Sequence, residues 1–182
     1  AAMRLVNMGW AVVSSVQGRG IVPEDHPATL GSYNLQKPAE EFYETVDAFL
    51  CVGTRLRSNE TLNYKLKLPA MRYRIDANPL TDGRGYSSEL FVHGDAEITL
   101  NALADRLEGR MQIDPKLAAD VKRTRAEAAS LVDGTLGQYA KLKNTLAEVV
   151  GKQLWWVRDI TLSNSMWGNR APVLTNRAAA CT

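Results

Sequence analysis

Short segments with strand character that stop at glycine or aspartate alternate along this chain with segments whose apolar residues recur at helical spacing. Three segments share this form: residues 48–52 stop at Gly53, residues 71–75 at Asp76, and residues 90–92 just before Gly94. The run over residues 48–52 is continuously apolar, which is typical of a parallel strand that is covered on both faces. The alternation of these three segments with helical segments predicts an α/β fold, a Rossmann-like parallel sheet flanked by helices.

Further elements are predicted on either side of these runs. Strands are expected over residues 11–15 and 154–157, and helices over residues 38–45, 96–107, 116–132 and 139–150. The helix over residues 96–107 is predicted to have a core side made of Ile98, Leu100, Leu103 and Leu107. Charged residues cover the helix over residues 116–132, so we interpret it as a solvated connector. The stretch from Gly134 to Gly137 is expected to end it.

These differences between segments predict that the chain has three parts. Residues 1–112 form a central nucleotide-fold domain, residues 113–134 a helical linker, and residues 135–182 the start of a further domain. The last part contains a helix and a strand and then enters a polar loop over residues 161–169, without a second helix to complete a crossover unit.

Composition narrows the class of protein. The chain has 182 residues, of which 45% are hydrophobic and 23% charged, as in an ordinary globular protein. A formal net charge of +2 gives no reason to expect nucleic acid or an anionic membrane as a partner. No apolar stretch approaches the ~18 residues of a membrane span. Cys51 and Cys181 lie far apart and make no zinc spacing, so we expect a soluble cytoplasmic protein with an inert, buried Cys51.

Candidate binding residues follow the predicted strands, where ligands bind in sheets of this type. Gly53, Thr54 and Arg55 combine a small residue, a hydroxyl and a cation, which suits a phosphate. Asp76 offers a carboxylate to a ribose or an adenine, and Asp95 repeats that arrangement after Gly94. A structural role remains open as the alternative for each residue. Gly53 would permit a turn, Asp95 would cap a helix and Arg55 would form an ion pair with an acidic residue.

Several classes of chemistry are excluded by missing patterns. The glycine-rich dinucleotide fingerprint is absent, because Gly18-Arg19-Gly20 lacks a third glycine and a following helix. Neither His26 nor His93 stands in a recognisable frame with a serine or cysteine nucleophile, and no metal-ligand spacing occurs. We therefore expect no catalytic residue and no metal ligand within this chain.

A set of motifs nevertheless resembles one enzyme family. The motifs are Gly18-Arg19-Gly20-Ile21-Val22-Pro23-Glu24-Asp25-His26-Pro27 with Leu30-Gly31, then residues 46–48, 53–56, 75–79 and 92–96. In this order they resemble the central domain of thiamine diphosphate enzymes such as acetolactate synthases, benzoylformate decarboxylase and related 2-oxo acid decarboxylases. The resemblance covers residues 17 to about 107 and implies the DHS-like NAD/FAD-binding type of fold.

The resemblance extends into the last part of the chain. Residues 156–161 and 167–170 resemble the opening of the family's diphosphate-binding domain, which implies that Ser163, Asn164 and Ser165 line the cofactor diphosphate. The loop differs from the synthase pattern and looks closer to amino-acid-catabolic 2-oxo acid decarboxylases.

Other parts of the family's machinery are expected outside this segment. The catalytic glutamate lies before it in the family, and the Gly-Asp-Gly motif that holds magnesium and diphosphate lies after it. We therefore expect the isolated chain to be inactive. The parent is expected to bind thiamine diphosphate and Mg²⁺ and to pair as a homodimer or homotetramer.

The central domain of this family is occupied by FAD or ADP in some members and empty in others. Arg55, Asp76 and Asp95 match positions that touch FAD in acetolactate synthases, whereas residues 56–60 differ from the synthase stretch. We expect a vestigial groove rather than bound FAD. The alternative function is a non-catalytic nucleotide-binding, regulatory or assembly module of the same fold.

Overall fold

The computed structural model of this chain describes residues 1–150, 156–158 and 179–181. The helices are α1 (Ala2–Asn7), α2 (Lys37–Tyr43), α3 (Ala96–Leu107), α4 (Leu117–Leu136) and α5 (Gln138–Val150). The strands are β1 (Val12–Val13), β2 (Thr29–Gly31), β3 (Phe49–Val52), β4 (Arg72–Asp76), β5 (Leu90–His93), β6 (Trp156–Arg158) and β7 (Ala179–Cys181).

The backbone contacts divide the chain into two compact units. The first combines Ala1–Trp10 with Leu35–Asp114, and the second combines Ala11–Asn34 with Pro115–Thr182. The second unit therefore draws on two stretches that are widely separated in sequence. The functional boundaries at residues 112 and 134 stay a prediction.

A parallel three-stranded sheet forms the centre of the first unit. Its order is β3-β4-β5, and Val52, Ile75 and Val92 lie side by side in the register. The α/β fold with parallel strands flanked by helices is thereby confirmed. The three segments predicted as strands over residues 48–52, 71–75 and 90–92 are the strands of this sheet, each within two residues of its predicted ends.

One face of this sheet packs against α1 and α3. The buried cluster on this face consists of Leu5, Ile75, Leu100 and Ala104. The prediction that Ile98 faces the core is wrong, because this residue is 72% exposed. The reason is helical geometry, because two residues correspond to about 200° of rotation and place Ile98 opposite Leu100.

The opposite face of the sheet carries different chemistry. There α2 contributes Tyr43, whose ring meets Phe49 edge to face at 5.2 Å between centroids. Cys51, Arg74 and Phe91 lie side by side in the register on this face. Cys51 is buried, as expected.

In the second unit, β1 and β2 form a parallel two-stranded sheet. Val12 is paired with Thr29 and Val13 with Gly31, with an irregularity between the two pairs. The strand expected over residues 11–15 is thus shorter than predicted. It lies outside the β3-β4-β5 sheet. β2 was not predicted, because its three residues follow a proline-rich turn without a run of apolar residues.

Helix α4 is longer than the helix predicted over residues 116–132. It continues through Gly134 to Leu136 and ends at Gly137, whose φ is +56°. The expected break at Gly134 is wrong, because buried Val132 and Leu136 anchor the helix on both sides. That packing outweighs the roughly 1 kcal/mol by which glycine disfavours a helix.

The last strands also belong to the second unit. β6 pairs in parallel with β7, with Val157 opposite Ala180. β6 overlaps the strand predicted over residues 154–157, while the predicted diphosphate loop with Ser163, Asn164 and Ser165 lies outside the described residues. Within the described residues, no helix is both long and apolar enough to cross a membrane.

Candidate functional site

The carboxyl ends of the three strands of the first unit meet at one edge of the sheet. The Gly53 amide donates to the Ile75 carbonyl at 2.9 Å, and the Gly94 amide donates to the Asp76 carbonyl at 3.1 Å. Asp76 and His93 are register partners. Gly53, Asp76 and Gly94 therefore converge as the strand pattern predicted, although their role in binding stays a prediction.

Asp76 is the central acidic group of this edge. Its side chain is buried, and Oδ1 accepts a 2.8 Å hydrogen bond from the Asn78 amide. Asn78 in turn accepts from the Leu80 amide at 3.0 Å, which shapes the turn after β4. Among the described residues, the second carboxylate oxygen of Asp76 has no hydrogen-bond donor, so it is available to a ligand hydroxyl or amine.

Asp95 has a structural task at the start of α3. Its Oδ1 accepts from the Ile98 amide at 2.9 Å, and its carbonyl accepts from the Thr99 hydroxyl at 2.6 Å. This is the geometry of a helix N-cap, which satisfies backbone donors that have no partner within the helix. The alternative that Asp95 is a helix N-cap is therefore confirmed.

The Gly53-Thr54-Arg55 segment forms the open side of the edge. Gly53 has a φ of +61°, and apart from its two chain neighbours no heavy atom of the described residues lies within 4 Å of the position that a Cβ would occupy. Thr54 Oγ1 accepts from the Leu56 amide at 3.4 Å. Arg55 is exposed and makes no ion pair with the residues that the structure describes. This segment thus combines space with an uncommitted cation.

Both histidines have local partners. His93 Nε2 lies 3.0 Å from the Ala77 carbonyl, and it donates because a carbonyl oxygen only accepts. His26 Nδ1 accepts from the Ala28 amide at 3.2 Å. Neither histidine is bonded to a described serine or cysteine.

Two arginines on β4 are features that the sequence interpretation missed. Arg74 is only 2% exposed, and its Nη1 donates to the Thr81 carbonyl. Arg72 Nε donates to the Ser87 carbonyl at 2.9 Å, and its guanidinium lies 5.8 Å from the centre of the Tyr86 ring. Charged residues at alternate positions of an otherwise covered strand were the available signal.

In the second unit, the Gly18–Pro27 motif is held by buried polar contacts. Arg19 and Glu24 form an ion pair whose side chains are 2% and 10% exposed. Arg125 on α4 donates from Nη1 to the carbonyls of Glu24 at 2.7 Å, His26 at 3.1 Å and Thr29 at 3.2 Å. The motif is thus a rigid turn that is fixed from two sides.

The described residues do not supply a cofactor metal site. Among residues 1–150, 156–158 and 179–181, no group of three or more His, Cys, Asp or Glu side chains is placed to hold a metal ion. The residues expected at the thiamine diphosphate lie outside these ranges. The described part of the chain therefore does not fit thiamine diphosphate and Mg²⁺ by itself.

Comparison with known proteins gives a consistent family. A family model described as thiamine pyrophosphate enzyme, central domain, matches residues 4–103. A probable 2-ketoarginine decarboxylase of Pseudomonas aeruginosa is 33% identical over 163 residues, 87% of this chain and 29% of that protein. A pyruvate oxidase of Lactiplantibacillus plantarum is 34% identical over 146 residues, 75% of this chain and 24% of that protein.

A more distant relative extends the comparison. A probable acetolactate synthase large subunit of Methanocaldococcus jannaschii is 27% identical over 108 residues, 58% of this chain and 18% of that protein. The chain thus spans less than a third of the length of each of these three relatives.

Proposed function

This chain belongs to the central-domain family of thiamine pyrophosphate enzymes, and from that membership we propose that it serves within a longer enzyme acting on 2-oxo acids. The proposed reaction is decarboxylation or ligation next to the 2-oxo group. Thiamine diphosphate with Mg²⁺ would supply the carbon nucleophile and the electron sink for such chemistry when bound.

One observation carries this proposal more than any other. The similarity to the probable 2-ketoarginine decarboxylase covers 87% of the chain, which is more than the central domain alone. It therefore includes sequence beyond residue 103, where the family match ends. A loop that looks closer to catabolic decarboxylases than to synthases supports the same substrate class.

The role proposed for the described residues is that of a framework. They provide a parallel sheet and a fixed Gly18–Pro27 turn, whereas they include no group of three or more His, Cys, Asp or Glu side chains placed to hold a metal ion. The catalytic glutamate and the magnesium motif are proposed to come from other domains of the parent. We accordingly propose that the 182-residue chain alone is inactive and that the parent is a homodimer or homotetramer.

A second candidate function is nucleotide binding at the carboxyl edge of the sheet. The available oxygen of Asp76, the open space at Gly53 and Arg55, which has no ion pair with the described residues, favour it. Against it, Asp95 already accepts from the Ile98 amide with one of its two oxygens. The proposal remains a vestigial groove for FAD or ADP rather than an occupied one.

The decisive experiment compares two proteins in one assay. The 182-residue chain and its longer natural gene product are each supplied with thiamine diphosphate, Mg²⁺ and a panel containing pyruvate and 2-ketoarginine, and carbon dioxide release is measured. We expect turnover only from the longer protein. Turnover by the short chain would contradict the framework role, and a long protein that ignores every 2-oxo acid would contradict the proposed reaction.

Calorimetric titration of the short chain with FAD and ADP tests the second candidate. Weak or undetectable heats are expected for a vestigial groove. A dissociation constant below about 1 μM, equivalent to roughly 8 kcal/mol of binding free energy, would instead establish a nucleotide module.

A further inference from the structure

Leu62, Asn63 and Tyr64 form a short left-handed stretch in the loop between β3 and β4. Their φ angles are +51°, +55° and +63°, a region that residues with a side chain rarely adopt. The Asn63 amide donates to the Ser58 carbonyl at 2.7 Å, which holds the stretch in place. Backbone conformations of this kind persist only where the surrounding structure imposes them, and they are concentrated at functional sites.

This conformation presents two apolar side chains to the solvent. Leu62 is 43% exposed and Tyr64 is 54% exposed. The Tyr64 ring lies against Gly85 in the loop that follows β4, where a Cβ would be only 2.9 Å from Tyr64 Cε1. The absence of a side chain at Gly85 therefore leaves room for the ring. Tyr64 is supported on one side by the neighbouring loop and is open to solvent on the other.

Two cations stand beside the contact between Tyr64 and Gly85, one on each loop. Lys65 follows Tyr64 and Arg84 precedes Gly85, and both residues are exposed. Neither side chain forms an ion pair with a residue that the structure describes. The two loops, residues 53–71 and 77–89, contain five Lys or Arg residues and three Asp or Glu residues, so their net charge is +2.

Exposed tyrosine and arginine side chains in a fixed arrangement are typical of protein interfaces. A side chain that is already held in place loses little conformational entropy when a partner binds. The positive charge of the two loops favours a partner segment with carboxylates, and Leu62 and Tyr64 favour apolar side chains within it. This chain spans less than a third of the length of each of the three relatives described above, so the proposed parent enzyme has further domains that could supply such a segment.

We propose that Leu62, Tyr64, Lys65 and Arg84 form a docking surface, the two-loop surface, for an acidic segment with apolar side chains from another domain of the parent enzyme. The partner comes from the longer enzyme, so the proposal rests on the proposed function for its source. The contact is a protein interface and requires neither thiamine diphosphate nor a nucleotide.

Nitration of tyrosine by tetranitromethane, with the modified residues located by mass spectrometry, tests whether the surface is covered. The 182-residue chain and its longer natural gene product are treated in parallel with N-acetyltyrosinamide as an internal standard. We expect Tyr64 to react in the short chain and to react about 10-fold more slowly in the longer protein, because a docked segment excludes solvent. Tyr43, which is 2% exposed, should stay unreactive in both. Equal reaction of Tyr64 in the two proteins would overturn the proposal.

Charge reversal tests the acidic character of the partner. In the longer protein, Arg84→Glu should restore the reaction of Tyr64 to within about 2-fold of the short chain, since the partner's carboxylates are then repelled. Arg110→Glu is the matched control, because it reverses an exposed charge just after α3, and it should leave Tyr64 protected. Lys65→Glu replaces Arg84→Glu if that variant does not fold. Protection that survives reversal at both positions would show that the partner is not acidic and would overturn the proposal.

Two further measurements separate this surface from other sites. ADP added to the short chain should leave the reaction of Tyr64 unchanged, and protection by ADP would instead assign the surface to nucleotide binding. Carbon dioxide release is measured on the same preparations. A longer protein that lacks turnover but protects Tyr64 would contradict only the proposed reaction, whereas turnover with an unprotected Tyr64 would contradict only the docking surface.

Discussion

Arg125 and Glu24 stand 101 positions apart in sequence, and Nη1 of Arg125 donates a 2.7 Å hydrogen bond to the Glu24 carbonyl. The same nitrogen is shared with the carbonyls of His26 and Thr29. A side chain on helix α4 thereby fixes the turn whose sequence first indicated the family. The helix predicted to be a solvated connector is also a structural support.

Replacing Arg125 by methionine should destabilise the chain. The three carbonyl oxygens would lose a charged donor, and hydrogen bonds to charged groups contribute about 1.5–3 kcal/mol. We expect the free energy of unfolding, measured by urea denaturation, to fall by about that amount. Arg123→Met is the matched control, because Arg123 is exposed and should change stability by less than about 0.5 kcal/mol. Equal effects in both variants would refute the support role.

Substitutions of Asp95 distinguish its role as a helix N-cap from a role in ligand binding. Asp95→Ala should lower the free energy of unfolding by about 1 kcal/mol, since the Ile98 amide loses its acceptor, while Asp95→Ser should restore most of the loss. Thermal denaturation followed by circular dichroism measures both variants. If alanine and serine were equally harmful, the cap would not explain the residue.

The two faces of α3 should respond differently to truncation. Leu100→Ala is expected to cost about 2–5 kcal/mol, because Leu100 is 8% exposed and packs beside Ile75. Ile98→Ala should be nearly neutral, within about 0.5 kcal/mol, because its side chain is already in water. Urea denaturation of the pair checks the orientation of the helix, and the reverse order would show that it is wrong.

Stability should decline at alkaline pH. Burial raises the pKa of the Cys51 thiol, partly opposed by Arg74 and Arg72, and burial also raises the pKa of the Tyr43 phenol. Both groups therefore stay neutral in the folded chain at a pH where the unfolded chain ionises them. Their contribution is complete below the unfolded pKa values, about 8.5 for cysteine and 10 for tyrosine, and is lost as the pH rises above each.

Cys51→Ala isolates the thiol in this pH dependence. Unfolding free energies measured between pH 7 and 10 should fall less steeply for the variant, since its unfolded state has no thiol at position 51 to ionise. Tyr43 is unchanged, so both proteins should still lose stability near the upper limit. Parallel curves for the two proteins would contradict the assignment to Cys51.

The sequence predicted the sheet of the first unit and the start of α3 well, for local reasons. Each strand there is a short segment that stops at or next to a small or acidic residue, and Asp95 marks the helix start by its capping chemistry. The meeting of Gly53 and Asp76 at one edge follows from parallel pairing alone. The strand ends and the helix start depend on neighbours within a few residues.

The features that escaped prediction depend on distant contacts. β2 exists because Thr29 and Gly31 pair with β1, and α4 passes Gly134 because Val132 and Leu136 are buried. The burial of Arg74 likewise requires the Thr81 carbonyl to reach it from a later turn. Local sequence propensity does not depend on such contacts. It therefore fails to predict that a charged residue is buried in a strand or that a helix continues through a glycine.

The discontinuous second unit has a consequence for synthesis on the ribosome. All residues of the first unit are available once Asp114 has emerged, whereas Ala11–Asn34 is made early and must wait for the stretch that begins at Pro115. During that interval the early segment lacks the helix that later holds its carbonyls, and its backbone is exposed to proteases and chaperones. Translation speed across the codons for α4 therefore sets how long the nascent chain remains vulnerable.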